Sequence, residues 1–172
     1  MKGSKKIRFI LVALPAMLAL LGCRGGYSFT GTSISPEVKT ISVDFFQNMA
    51  PIVMPTLSND FTEALKEKFR RQTRLSFVNA NGHLHFEGEI TGYDVMSKAI
   101  QANETAALST LTITVKVRFT NEIDEKQNFD RQFSANQDFP GSQTLESVQG
   151  SLIPQIIETL TENIFNAAVA NW

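Results

Sequence analysis

The chain is 172 residues long, 42% hydrophobic and 19% charged, with 16 basic against 17 acidic residues and a net charge of −1. That length carries one domain with its own core, and the balanced charge excludes a general nucleic-acid binder. A single cysteine excludes an internal disulfide.

Lys2, Lys5, Lys6 and Arg8 precede an apolar run of 13 residues, Phe9 to Leu21, interrupted by Pro15. Gly22 and the sole cysteine, Cys23, follow. The run is shorter than the roughly 20 residues a helix needs to cross a bilayer, and the order is that of a secretory signal. Leu20-Leu21-Gly22-Cys23 resembles the lipobox of bacterial lipoprotein precursors. The resemblance implies cleavage before Cys23 and acylation of its sulfur. Stable anchoring takes two or more acyl chains, at about 0.8 kcal/mol per buried methylene. The expected organisation is a signal peptide over 1–22, a lipidated tether over 23–37 and one domain over 38–172. Removing residues 1–22, with four basic and no acidic residues, leaves 150 residues, 12 basic against 17 acidic. Arg24 stands where an aspartate would favour retention at the inner membrane, so the outer membrane is the expected address.

Arg24 to Ser35 is rich in Gly, Ser and Thr and reads as a tether, with Tyr27 and Phe29 available to dock. Ile41, Val43 and Phe45 alternate with Ser42 and Asp44, which is strand spacing with the apolar three inward. Asn48 to Pro55 reads as a loop, and Pro55 suits the first helical position. Leu57, Phe61, Leu65 and Phe69 then form one apolar helical face ending near Arg71. Leu75 and Phe77 suggest a short strand before the turn Asn79–Gly82. Leu84, Phe86, Gly88 and Ile90 alternate with His83, His85, Glu87 and Glu89. Leu111 to Phe119 alternates most cleanly, a turn spans Asn121–Lys126, and Phe129–Ala135 returns as a hairpin strand. Asp138–Gln143 reads as a loop.

Leu145, Val148, Leu152, Ile156, Leu160 and Ile164 trace a long amphipathic helix ending near Ala168. Pro154 lies inside it, so a kink or split start is expected. The strands each carry one apolar face, which calls for helices on one side only. The predicted fold is α+β: a two-layer sandwich, two helices on one face of a mixed sheet of about four to five strands.

His83, His85, Glu87 and Glu89 project from one sheet face. Side chains at alternate positions stand about 6.5–7 Å apart, so all four cannot converge on one ion; a pair can, with help from elsewhere. A solvated polar face is the reading adopted, with no metal, no cofactor and no catalytic residues assigned. The chain has no G-x-S-x-G, H-E-x-x-H or P-loop, and no enzyme is expected. Lys66, Lys68, Arg70, Arg71 and Arg74 place five cations within nine residues. Some of them complement the helix C-terminus. Five exceed what capping requires, and together they form a candidate anion site, which Lys116 and Arg118 would extend.

Cys23 with Gly25–Phe29, Val38–Val43, Thr62–Lys66, Leu84–Tyr93, Leu111–Val115 and Phe165–Trp172 together resemble the lipopolysaccharide-assembly lipoprotein family, LptE, in a divergent branch. The resemblance implies a non-enzymatic lipoprotein at the periplasmic face of the outer membrane. It implies a plug and assembly partner of an LptD-type β-barrel in lipopolysaccharide transport, with two helices on a sheet of about four strands. Two other readings stay open. One is a lipid-anchored accessory of another envelope machine, such as a secretin pilot or barrel-assembly component. The other is a periplasmic hydrolase, which would need a cleft holding His83 or His85 beside a nucleophile.

Overall fold

A computed structural model describes residues 34–52, 54–98 and 107–169. The signal segment 1–22, Cys23 with Tyr27 and Phe29 of the tether, and Trp172 lie outside them. The described elements are β1 (Thr40–Val43), β2 (Gln47–Asn48), α1 (Leu57–Gln72), β3 (Ser76–Phe77), β4 (Leu84–Lys98), β5 (Leu108–Asn121), β6 (Phe129–Pro140) and α2 (Leu145–Val169). A short 3-10 turn at Glu125–Gln127 joins β5 to β6.

The sheet has six strands in the order β3-β1-β4-β5-β6, with β2 also pairing β4. The pairs among β1, β2, β3 and β4 are parallel, and the β4–β5–β6 meander is antiparallel. The mixed α+β sandwich is therefore as expected from the one-sided strands. The sixth strand comes from β2, whose two residues are too short to show any alternation.

Both helices cover the same sheet face. Leu57, Phe61, Leu65 and Phe69 of α1 are fully buried, as are Phe86 and Ile90 of β4. Phe69 meets Phe86 at 4.9 Å and Phe165 of α2 at 5.0 Å, while Phe86 meets Phe119 at 4.7 Å. This chain of tilted rings ties α1, α2, β4 and β5 together, each pair adding about 0.5–1.5 kcal/mol beyond its buried area.

Five local expectations are corrected. Phe45 is 58% exposed, and Phe46 is the buried ring, packed edge-on to Phe61 at 5.1 Å. The reason is register: Val43 opposes Phe86 and Gln47 opposes Glu89, so four steps on one side match three on β4. The extra residue reverses the alternation, as in a β-bulge. Secondly, α1 starts at Leu57 behind an N-cap at Thr56, leaving Pro55 just outside the helix.

The third and fourth concern strand length. β4 does not stop with the alternation at Ile90 but runs to Lys98, and a register shift between Ile90 and Gly92 lets Ile90 and Tyr93 both face inward. β6 continues through Asp138 to Pro140, because β5 offers partners all the way to Leu108. The last helix is a single run from Leu145 to Val169 with Pro154 inside it. The expected split start is thus absent.

Candidate functional site

The cations of α1 sit where the sequence puts them, but carboxylates already face most of them. Lys66 Nζ reaches Glu63 at 2.9 Å. Lys68 pairs with Glu162 across to α2. Arg70 and Arg71 share Glu67 at 2.5 and 2.7 Å. Hydrogen bonds from Arg70 and then Arg71 hold the Glu67 carboxyl below its ordinary range. Arg70 also lies over the Phe77 ring at 5.1 Å. Among the described residues, Arg74 is the cation of this segment with no carboxylate within ion-pair reach.

Lys116 and Arg118 do not extend that patch. They alternate with Val115, Val117 and Phe119, which face the helices, so they project from the opposite side of the sheet. Arg118 bonds Glu87 at 3.0 Å and Asp130 at 3.3 Å, and Lys116 stands 3.8 Å from Asp130. Glu87 and then Asp130 raise the affinity of the guanidinium for its proton. These two cations belong to a cross-strand charge network on the open face.

A groove of about 550 Å³ runs between α1 and α2. Met54, Ala64, Ile153 and Pro154 give it an apolar floor, and Lys68 and Arg71 stand on its wall. Gly150 also lines it, and Pro154 has no N–H to offer the Gly150 carbonyl, which leaves a backbone acceptor there. An anion entering beside Lys68 or Arg71 has to compete with Glu162 or Glu67.

The histidines are separated by their partners. His83 Nδ1 accepts the Lys39 N–H at 3.1 Å. His85 Nδ1 lies 2.7 Å from the Ser42 hydroxyl, and its Nε2 is 3.6 Å from Asp44 Oδ2. The order Ser42–His85–Asp44 is that of a nucleophile, a base and an orienting carboxylate. The hydroxyl, however, is fully buried and accepts the Gly82 N–H at 3.1 Å. No substrate carbonyl reaches it, so the geometry supports contact functions over acyl transfer. Sequence reasoning missed Ser42 and Asp44 because only the parallel pairing of Ser42 with His85 brings β1 beside β4.

The lipopolysaccharide-assembly family model, LptE, matches residues 38–168. No curated protein sequence matches significantly. Protein CT253 from Chlamydia trachomatis aligns with a TM-score of 0.50 at 9% identity, over 78% of this chain and 99% of that one. A minor lipoprotein from Acinetobacter baumannii aligns at 0.48 and 16% identity, over 75% and 91% of the two chains. Lipoprotein B from Nitrosomonas europaea aligns at 0.45 and 12% identity, over 74% and 80%. At these identities the structural likeness speaks to the fold alone.

Proposed function

The chain belongs to the lipopolysaccharide-assembly LptE family, and from that premise we propose that it is a lipid-anchored subunit of the lipopolysaccharide translocon, plug and assembly partner of an LptD-type β-barrel at the periplasmic side of the outer membrane. The observation that carries this reading is the extent of the family match, which spans the whole two-layer unit from Val38 through Ala168. Among the described residues no helix is long and apolar enough to cross a membrane. Attachment through acyl chains on Cys23 fits that, and residues 1–22, 23–37 and 38–172 then serve as signal, tether and working domain.

The test is an affinity purification from membranes through a tag placed after Trp172 on a linker. A large outer-membrane barrel of the lipopolysaccharide pathway is expected to co-elute. A secretin or a barrel-assembly subunit eluting in its place would move the chain to another envelope machine.

Within this reading, the cations of α1 and Arg74 just beyond its end make the anion-facing surface toward lipopolysaccharide phosphates, with Arg74 first because it has no carboxylate to displace among the described residues. Lys66, Lys68, Arg70 and Arg71 follow, each in competition with its own partner. Charge-assisted contacts of this kind are worth about 1.5–3 kcal/mol each when made without competition. Reversing the charge at Arg70, Arg71 and Arg74 together is expected to weaken binding to purified lipopolysaccharide. An unchanged affinity would remove the anion role while leaving the barrel partnership standing.

A further inference from the structure

We propose that Asp44, His85 and Glu87 form a binding site for one divalent transition-metal ion of the Zn²⁺ type on the open face of the sheet. This inference does not rest on the translocon reading. Spacing along β4 allows a neighbouring pair at most to meet at one ion; the fold selects His85 and Glu87 by bringing Asp44 beside them as the third donor. Asp44 leaves the end of β1 with its N–H bonded to the Phe86 carbonyl at 2.9 Å. Its side chain thereby arrives beside those of His85 and Glu87. One donor atom from each residue lies within 4.8 Å of the other two.

The distances fit an ion better than a direct hydrogen bond. Asp44 Oδ2 and His85 Nε2 stand 3.6 Å apart, outside hydrogen-bonding range. In a tetrahedral site with metal–N and metal–O bonds of about 2.0–2.2 Å, neighbouring donors stand about 3.4 Å apart. The Asp44–His85 gap is therefore close to that of two ligands around one centre. Glu87, whose donor lies within 4.8 Å of the other two, has the longer side chain and closes the third corner by rotating toward them. Solvent fills the fourth, since all three side chains are partly exposed.

The surroundings are those of a supported ligand set. Ser42, fully buried and fixed by the Gly82 N–H, sits 2.7 Å from His85 Nδ1. When that nitrogen carries the proton and donates to Ser42, the Nε2 lone pair is free for a metal. A hydrogen-bonded second nitrogen of this kind commonly sets the tautomer and ring angle of a ligating histidine. Glu87 keeps Oε1 on Arg118, leaving Oε2 to ligate, and Arg118 has Asp130 as a second partner. Two carboxylate oxygens and one imidazole nitrogen make a donor set for a cation, and the mixed N and O donors favour Zn²⁺, Cu²⁺ or Ni²⁺ over Mg²⁺ or Ca²⁺.

The chain as it occurs in the membrane, purified in detergent and stripped with a chelator, is titrated with Zn²⁺ by calorimetry and with Co²⁺ by visible absorption. One Zn²⁺ per chain is expected, with Co²⁺ giving the d–d bands of a low-coordinate N/O site. His85→Ala and Asp44→Asn should each weaken Zn²⁺ binding at least about tenfold, and Ser42→Ala by about 10–100-fold through its effect on the imidazole. His83→Ala should leave the affinity within about twofold, because its ring is not among the donors. No saturable Zn²⁺ binding would overturn the site. So would equal affinity in His85→Ala protein of unchanged circular dichroism. Should that variant not fold, Asp44→Asn decides the matter in the same way, because the Asp44 side chain is about half exposed and its ion-pair partner among the described residues is His85.

Discussion

Gly88 is a position in the sheet that has no room for a single methyl group. It belongs to the inward row of β4, between Phe86 and Ile90, and its missing side chain is the space that Phe46 enters. A Cβ there would stand 2.6 Å from Phe46 Cε1 and collide with the Lys116 carbonyl of β5. The ring can shift, but a backbone carbonyl inside the sheet cannot move without opening the β4–β5 ladder. Gly88→Ala is therefore expected to destabilise by about 1–3 kcal/mol, the range for overpacking a closed core. Chemical denaturation of the purified protein measures this directly, and an unchanged midpoint would show that β4 and β5 yield locally. The neighbouring residue Phe46 shows why such sites are hard to read from sequence. Two phenylalanines stand side by side, Phe45 and Phe46, and strict alternation selects the wrong one. Only the extra residue between the β1 and β2 registers decides which ring goes in.

At the scale of elements, what periodicity can see, it saw. The two helices, the β5 strand and the first half of β4 each repeat apolar residues often enough to declare a face. Those faces then require helices on one side of the sheet. The far half of β4 escaped because the shift at Thr91 puts Ile90 and Tyr93 on one side at a spacing of three. The end of β6 escaped because Asn136, Asp138 and Pro140 have turn composition, and the partner strand overrides it. The site followed the same rule. Cations were legible residue by residue, but their pairing with Glu63, Glu67 and Glu162 depends on helix phase and on α1 meeting α2. The Asp44–His85 proximity depends wholly on a parallel strand pair.

Pro154 gives this scale its prediction. The helix α2 stays continuous through it, so the missing N–H and the ring are tolerated at a cost. Pro154→Ala restores the hydrogen bond to the Gly150 carbonyl and is expected to stabilise the protein by about 1–3 kcal/mol. A thermal melt should move up by roughly 2–4 °C per kcal/mol. The same change removes the free carbonyl from the groove between the helices. If the melt does not rise, the proline ring is contributing packing there that offsets the missing bond.

For the whole molecule, the decisive question is whether anchor and domain are separable. Among the described residues the core draws on Val38 through Val169, with Ile34 packed at its margin, and it closes around the aromatic chain of both helices and the sheet. A domain that closes a core of its own should fold without the lipid. Replacing residues 1–22 by an ordinary cleavable secretory signal and Cys23 by Ala tests this. The exported protein is expected to appear in the soluble periplasmic fraction with the same near-ultraviolet dichroism and a stability within about 0.5 kcal/mol of the lipidated form. The barrel should then be recovered less efficiently through the C-terminal tag, because the tether no longer raises the local concentration at the membrane. Loss of cooperative unfolding in that variant would mean that the acylated segment is part of the fold. Undiminished barrel recovery with an intact fold would mean that the domain surface alone sets the affinity, and the lipid serves delivery.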